Sequence, residues 1–82
     1  MNLVEVTEQL IQMVAEHKDM VSVKEFESED PDTMVIQVLV SNDDMGRVIG
    51  KGGKVANAIR TLVQIAAYQQ GQKYVKVNID SY

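Results

Sequence analysis

The residues best placed to do chemistry lie in one short segment, residues 46–54, which reads GRVIGKGGK. Glycines at 50, 52 and 53 have no Cβ, so the backbone there can come close to a phosphate. Lys51 and Lys54 bring positive charge to the same place. The segment also leads into a predicted helix, whose first N–H groups and dipole favour an anion. These features together predict a phosphate-contact site.

Two common nucleotide-binding motifs do not match this segment. A P-loop needs a glycine, four residues, and then Gly-Lys-Ser/Thr. Here Gly50-Lys51 is followed by Gly52, and the preceding glycine is only four positions back, at Gly46. A dinucleotide fingerprint needs G-x-G-x-x-G after a strand, and Gly50, Gly52 and Gly53 do not have that spacing. The failed spacings favour a polynucleotide backbone as the ligand.

The charge of the chain is divided between its two halves. The net charge is -4, yet residues 1–45 hold eleven of the twelve acidic residues and only two bases. Residues 46–79 hold no acid and six bases, namely Arg47, Lys51, Lys54, Arg60, Lys73 and Lys76. Such asymmetry indicates a local anion-binding face on an acidic body, with chance clustering as the alternative.

Length and composition exclude several classes of protein. A chain of 82 residues suffices for one domain with a modest core, and dimerisation would bury more apolar surface. There is no cysteine, which removes disulfides, thiolate metal sites and cysteine nucleophiles. No apolar run is long enough for a membrane span, and the N-terminus lacks a secretory pattern. We expect a cytoplasmic protein that is not an enzyme and takes no cofactor and no small-molecule substrate.

The hydrophobic pattern predicts a helix and two strands in the first half of the chain. Helical spacing over residues 3–17 puts Leu3, Val6, Leu10, Met13 or Val14, and His17 on one face, with Asn2 as the cap. Alternation predicts a strand over residues 21–27. A turn around Pro31 follows. The β-branched run of residues 34–40 predicts the most buried strand.

The second half predicts two helices that flank the glycines, and then a strand. Ser41 and the acids after it are typical of a helix start. A longer helix is predicted over residues 54–70, with Gly71 as its stop. Its predicted apolar positions are Val55, Ile59, Leu62, Val63 and Ala66. With a last strand over residues 74–79, the order becomes α-β-β-α-α-β. That order predicts an α+β fold in which helices pack on one face of a three-stranded mixed sheet.

The segment Val48-Ile49-Gly50-Lys51-Gly52-Gly53 resembles the V-I-G-x-x-G core of KH domains. In that family the GXXG loop joins two helices and clamps about four nucleotides. The element order matches the type II KH fold, so the resemblance implies a single KH domain over residues 1–82. The chain is most similar to small bacterial KH proteins of the KhpA type. One departure is Ala56, where many KH domains carry a large aliphatic residue.

The resemblance also implies the binding residues. It makes Val48, Ile49, Val55 and Ile59 the apolar floor and walls of a groove, Gly50 to Gly53 the sugar-phosphate contacts, and Arg47, Lys51, Lys54 and Arg60 the source of charge. Alternatives stay open, because Val48, Val55 and Ile59 also suit a core and Arg60 suits a surface ion pair. Aromatic residues are few, so weak binding of loose specificity is expected, with Kd on the order of micromolar and clear salt sensitivity.

By resemblance, the expected function is binding of single-stranded RNA, as an RNA chaperone or post-transcriptional regulator. The family is linked to bacterial cell elongation, division and envelope homeostasis. It also implies a homodimer, or a heterodimer with a larger KH-containing protein of the KhpB type. The alternative is a protein-interaction subunit that keeps the fold but does not read RNA, and whose acidic N-terminal half is the working surface.

Overall fold

A computed structural model describes residues 2–82, and the order of its elements is the predicted one. The helices are α1 (Leu3–Val14), α2 (Met45–Ile49) and α3 (Lys54–Gln69), the strands are β1 (Ser22–Phe26), β2 (Thr33–Val40) and β3 (Tyr74–Ser81), and short 3₁₀ turns cover Lys18–Met20, Asn42–Asp44 and Lys51–Gly53. Within the described residues, no helix combines the length and the apolar character needed to cross a membrane.

The sheet is mixed, as predicted, with β2 in the centre. β1 pairs with β2 antiparallel, and β2 pairs with β3 parallel. Ile36, Val38 and Val40 of β2 are fully buried, which confirms β2 as the most buried strand. Since every second residue of a strand faces the same side, these three side chains form the floor on which the helices pack.

Helix α1 begins where predicted but ends earlier and buries a different stripe. The Asn2 side chain accepts a hydrogen bond from the Val4 N–H at 2.8 Å, which confirms the predicted cap. The buried positions are Leu3, Thr7, Ile11 and Ala15, four residues apart. Of the two residues predicted for the next position, Met13 is 78% exposed and Val14 packs partly buried against the core. His17 is exposed. The prediction missed this register because it gave Thr7 no place in the core. The Thr7 hydroxyl donates to the Leu3 carbonyl at 2.8 Å, so its burial leaves no polar group unpaired.

Helix α3 packs its Ala56, Ile59, Val63 and Ala67 side chains into the core. Leu62 was expected on this face and is instead 49% exposed. The helix ends at the glycine that was predicted to stop it. Gly71 has a φ of +80° and donates to the Tyr68 carbonyl at 3.1 Å, and the next N–H donates to Ala67 at 3.0 Å. This pair of bonds is a Schellman motif, after which the chain reverses direction and enters β3.

Candidate nucleic-acid interface

The glycine loop, residues 50–53, reverses the chain between α2 and α3 within four residues. Gly50, Gly52 and Gly53 have φ values of +78°, +65° and +80°, which residues with a Cβ rarely adopt. Two backbone hydrogen bonds tighten the turn, from the Gly50 N–H to the Gly46 carbonyl at 2.9 Å and from the Gly53 N–H to the Gly50 carbonyl at 3.1 Å. The loop is therefore held by backbone geometry alone.

The first and third residues of the loop lack side chains for different reasons. A Cβ added to Gly50 would lie 2.5 Å from Val55 Cγ2 and 2.9 Å from the Val55 nitrogen, so the start of α3 fills the space. A Cβ on Gly52 would meet nothing within 4 Å. Packing of the chain on itself therefore requires the glycine at 50. At 52 the surrounding space is open, and the backbone is accessible from outside.

Helix α3 presents its N-terminus at this loop. Its N-cap is Gly53, in the left-handed conformation and without a side chain that could cap the helix. The first N–H groups of a helical turn have no partner inside it. The Gly53 and Lys54 N–H groups already donate to the Gly50 and Lys51 carbonyls. The loop therefore offers the remaining N–H groups of the first turn, together with the positive end of a dipole from 16 residues. This arrangement favours an anion.

The four predicted cations divide into two free and two held side chains. Lys51 and Lys54 are exposed and form no salt bridge within residues 2–82. Arg47 pairs with Asp44 at 3.0 Å and with Glu16 at 3.2 Å.

The Arg60 side chain is held by hydrogen bonds instead. Its Nε donates to the Val77 carbonyl and its Nη1 to Asn57 Oδ1, both at 3.1 Å. It therefore forms no ion pair within the described residues, and the contact with RNA, the other role considered from the sequence, stays a prediction. The unpaired positive charge of the interface is concentrated at Lys51 and Lys54.

The predicted apolar residues also divide into two sets. The Val48 side chain is fully buried and Ile59 is 5% exposed, so both belong to the core. Ile49 and Val55 flank the glycine loop and are partly exposed. Ala56 is buried. The apolar surface that a ligand can reach beside the loop is thus made by Ile49 and Val55.

Asp44 fixes the start of α2, and sequence reasoning did not identify this contact. Its fully buried carboxylate accepts from the N–H of Glu16 at 3.0 Å and of His17 at 2.9 Å. It also accepts from Arg47 at 3.0 Å. The sequence had placed Asp44 only among the acids of a helix start, where Ser41 does cap the turn, accepting from the Asp43 N–H at 3.3 Å.

The hydrogen bonds of Asp44 also decide its ionisation. Burial by itself raises the pKa of this carboxyl. The N–H groups of His17 and Glu16, with the charges of His17 and Arg47, outweigh that effect and hold the pKa below its ordinary value. The carboxylate is therefore charged at neutral pH and ties the end of α1 to the start of α2.

Glu16, His17 and Asp44 form the one group of potential metal ligands in the described part of the chain. The position of Asp44 is already explained by the hydrogen bonds that it accepts. His17 lies 3.9 Å from Asp43, an exposed contact between the two side chains. We therefore assign no metal to this group and treat it as the junction between α1 and α2.

Comparison with known sequences places most of the chain in one group. Residues 4–79 match the family model described as KhpA/KhpB, KH domain. The chain is 34% identical over 71 residues to the RNA-binding protein KhpA of Caldanaerobacter subterraneus subsp. tengcongensis, covering 87% of this chain and 92% of the relative. With KhpA of Halalkalibacterium halodurans it shares 38% over 66 residues, 80% and 84% of the two chains. The match to KhpA of Clostridium perfringens is shorter, with 46% identity over 44 residues, 54% of this chain and 59% of the relative.

Solved structures confirm the predicted type II KH fold. The chain superposes on Aquifex aeolicus Era bound to GDP and aluminium fluoride with a TM-score of 0.69, and on Era in complex with MgGDPNP and nucleotides of 16S ribosomal RNA with a TM-score of 0.70. In both cases the identity is 19%, and the match covers 98% of this chain but only 30% of the Era chain. At that identity the likeness concerns the fold alone.

Proposed function

The chain belongs to the KhpA/KhpB family of KH domains, and on this premise we propose that it binds single-stranded RNA at the glycine loop. Its relatives carry the name RNA-binding protein KhpA. The observation that carries the proposal is the open space around Gly52, between two lysines that have no ion-pair partner in the described chain. A phosphate can approach the backbone there and meet positive charge on both sides.

The glycine loop supplies the contacts to the RNA backbone. The N–H groups of the loop and of the first turn of α3 that are not already bonded within the turn donate to phosphate oxygens, as at other helix N-termini. Lys51 and Lys54 add charge and bind as point cations on flexible stems. Arg47 and Arg60 contribute less charge, because their guanidinium groups already contact the protein. Without RNA, Arg47 holds α2 to the end of α1 and Arg60 bonds to β3.

The apolar residues next to the loop give the bases a surface to pack on. Ile49 and Val55 are partly exposed and can contact a base face directly. Val48 and Ile59 support that surface from the core. Phosphate contacts position a strand without reading its sequence, so any base preference arises beside the loop. The result is weak binding, with Kd on the order of micromolar, that falls as salt rises.

A double variant in the loop tests this proposal. Lys51→Asp with Gly52→Asp replaces a cation by an acid and fills the open space, and aspartate tolerates the left-handed conformation better than most residues. We expect crosslinking to RNA to be lost while the circular dichroism spectrum remains that of the folded wild type. The matched control is Gln9→Glu with Lys24→Asp, exposed positions on α1 and β1, which change the net charge by the same amount. The proposal fails if the folded loop variant binds RNA as the control does.

On the family resemblance we further propose a cytoplasmic RNA chaperone or post-transcriptional regulator that affects cell elongation, division and envelope homeostasis. Sequencing of RNA crosslinked to the wild type and to the loop variant tests this wider function. Transcripts of those processes should be enriched with the wild type alone. Equal enrichment with the loop variant would contradict it.

A protein partner is the second candidate function, and exposed side chains on α3 favour it. Leu62, Ile65 and Tyr68 are 49%, 52% and 62% exposed, at intervals of three residues on one helix. The partner proposed is a second copy of this chain or a larger KH-containing protein. Sedimentation equilibrium of the purified wild type distinguishes a dimer from a monomer. If pulldowns recover a protein partner but no RNA above background, the chain is an interaction subunit and RNA binding is not its function.

A further inference from the structure

The outer edge of β3 is partly covered by side chains from α3. The N–H groups of Tyr74 and Tyr82 donate to Asp32 and Val40, so the even-numbered residues of β3 face β2. The odd-numbered residues direct their backbone groups to the other side. There the Gln64 Nε2 donates to the Lys73 carbonyl, and the Val75 N–H donates to Gln64 Oε1, each at 3.0 Å.

Gln64 binds the outer edge of β3 more firmly than Arg60 does. The Gln64 amide uses both its donor and its acceptor on β3, as a residue of a neighbouring strand would. If it moved away, the partly buried Val75 N–H would lose its partner, which is costly. Arg60 makes one bond to β3, from Nε to the Val77 carbonyl. Its guanidinium has further donors, so it can leave Val77 and bind an incoming RNA group instead.

The order of these contacts along the groove is set by the chain direction. α3 begins at the glycine loop and runs antiparallel to β3, since the Schellman turn at Gly71 reverses the chain. Arg60 and Val77 therefore lie nearer the loop than Gln64 and Val75. In the described residues, no α3 side chain donates to or accepts from the β3 backbone between Val77 and the loop. The space between α3 and the outer edge of β3, called the crevice below, is thus bridged by one bond at Arg60 and by two at Gln64, and by none nearer the loop within the described residues.

We infer that Gln64 limits the length of RNA that the groove accepts. This inference rests on the proposed function. A strand held at the glycine loop can follow the crevice to Arg60, displace that side chain, and bind no further, because Gln64 occupies the backbone groups beyond. Removing the Gln64 amide would open about one more helical turn of groove, about 5.4 Å. That length corresponds to roughly one additional nucleotide beyond the four of a GXXG site.

A length series of oligouridine RNAs tests this inference, with fluorescence anisotropy of the full chain at low salt. For the wild type, affinity should stop rising at about four nucleotides. For Gln64→Ala, it should continue to rise by about one nucleotide more. Gln69→Ala is the matched control, since Gln69 is an exposed glutamine of the same helix, and it should behave as the wild type. Identical length dependence in all three proteins overturns the inference.

Two further measurements keep the test decisive. Amide hydrogen exchange at Val75 should become faster in Gln64→Ala, which shows that the edge has been opened in a folded protein. Gln64→Glu keeps the acceptor for the Val75 N–H and covers the case in which the alanine variant unfolds, because its length limit should remain that of the wild type. Self-association of Gln64→Ala without RNA would mean that Gln64 guards the edge against strand addition, and would overturn the inference. A folded wild type that binds no RNA of any length refutes the proposed function itself.

Discussion

The two ends of α2 are held in opposite ways. At its start, the buried Asp44 carboxylate accepts two backbone N–H groups and Arg47, and Arg47 reaches on to Glu16. At its end, backbone geometry alone makes the turn, and Lys51 and Lys54 have no ion-pair partner in residues 2–82. Charged groups satisfied within the fold stabilise it, and charged groups left free remain available to a ligand. The start of α2 is therefore a structural junction, and its end is the proposed binding site.

The largest expected loss of stability comes from breaking the junction between α1 and α2. Asp44→Ala leaves the N–H groups of Glu16 and His17 without their acceptor and removes a partner of Arg47. Both hydrogen bonds are part-buried, and a donor that loses its partner in such a place costs free energy. We expect this variant to lower the midpoint of urea unfolding more than any other described here. An unchanged midpoint would show that the carboxylate does not hold α1 to α2.

The next effect separates two glycines of the loop. Gly50→Ala forces a Cβ against Val55 at a positive φ and should destabilise the fold by about 2–4 kcal/mol, from overpacking and backbone strain. Gly52→Ala meets open space and should cost about 1–2 kcal/mol from strain alone. Urea unfolding of both variants measures the difference. Equal losses would contradict the assignment of Gly50 to packing.

A third comparison concerns RNA affinity rather than stability. Lys51→Ala should weaken RNA binding and reduce the slope of log affinity against log salt by about one unit, as expected for one lost phosphate contact. Arg47→Ala should leave that slope nearly unchanged, because its guanidinium is already paired with Asp44 and Glu16. Titrations at several salt concentrations give both slopes. A larger change for Arg47→Ala would reverse the division into held and free cations.

The smallest effect is a dependence on acid pH. Because the folded pKa of Asp44 is lowered, its charge adds stability at pH values above the unfolded pKa, about 3.9. That contribution is lost as the pH falls through the folded value. Urea unfolding between about pH 6 and pH 3 should show a decline in the wild type. Asp44→Asn should be less stable at neutral pH and should lack this part of the decline. Parallel curves would exclude Asp44 as its source.

Local patterns predicted the fold well. The helix cap at Asn2, the helix end at Gly71 and the loop at Gly50, Gly52 and Gly53 each depend on local backbone preferences. Hydrophobic periodicity predicted the helices and strands between them. The predicted apolar faces of α1 and α3 were wrong at His17 and Leu62, which are exposed, and missed Thr7 and Ile11, which are buried. Periodicity shows that a helix has an apolar face, but neighbouring elements decide which residues fill it.

The contacts of Asp44 and Gln64 could not be predicted, because they join residues that are distant in sequence. Asp44 bonds to backbone groups 27 and 28 positions away. Gln64 bonds to β3 across the turn at Gly71. Both accept from backbone N–H groups, which carry no residue identity and so leave no pattern in the sequence. The spacing of Asp44 and Arg47, three residues apart, was the one local sign of these contacts, and such pairs are common in helices.

Gly50 and Gly52 restrict the evolution of the loop in different ways. Gly50 is needed for the chain to fold on itself, since Val55 fills the space that a side chain at position 50 would take. At Gly52 there is room for a side chain, although the positive φ still strains it, so backbone conformation and access for a ligand both favour glycine there. A lineage that abandoned RNA would be free to replace Gly52 long before Gly50. Natural chains that keep the glycine at position 50 but have lost the one at position 52 would then indicate that RNA binding was lost while the fold was kept.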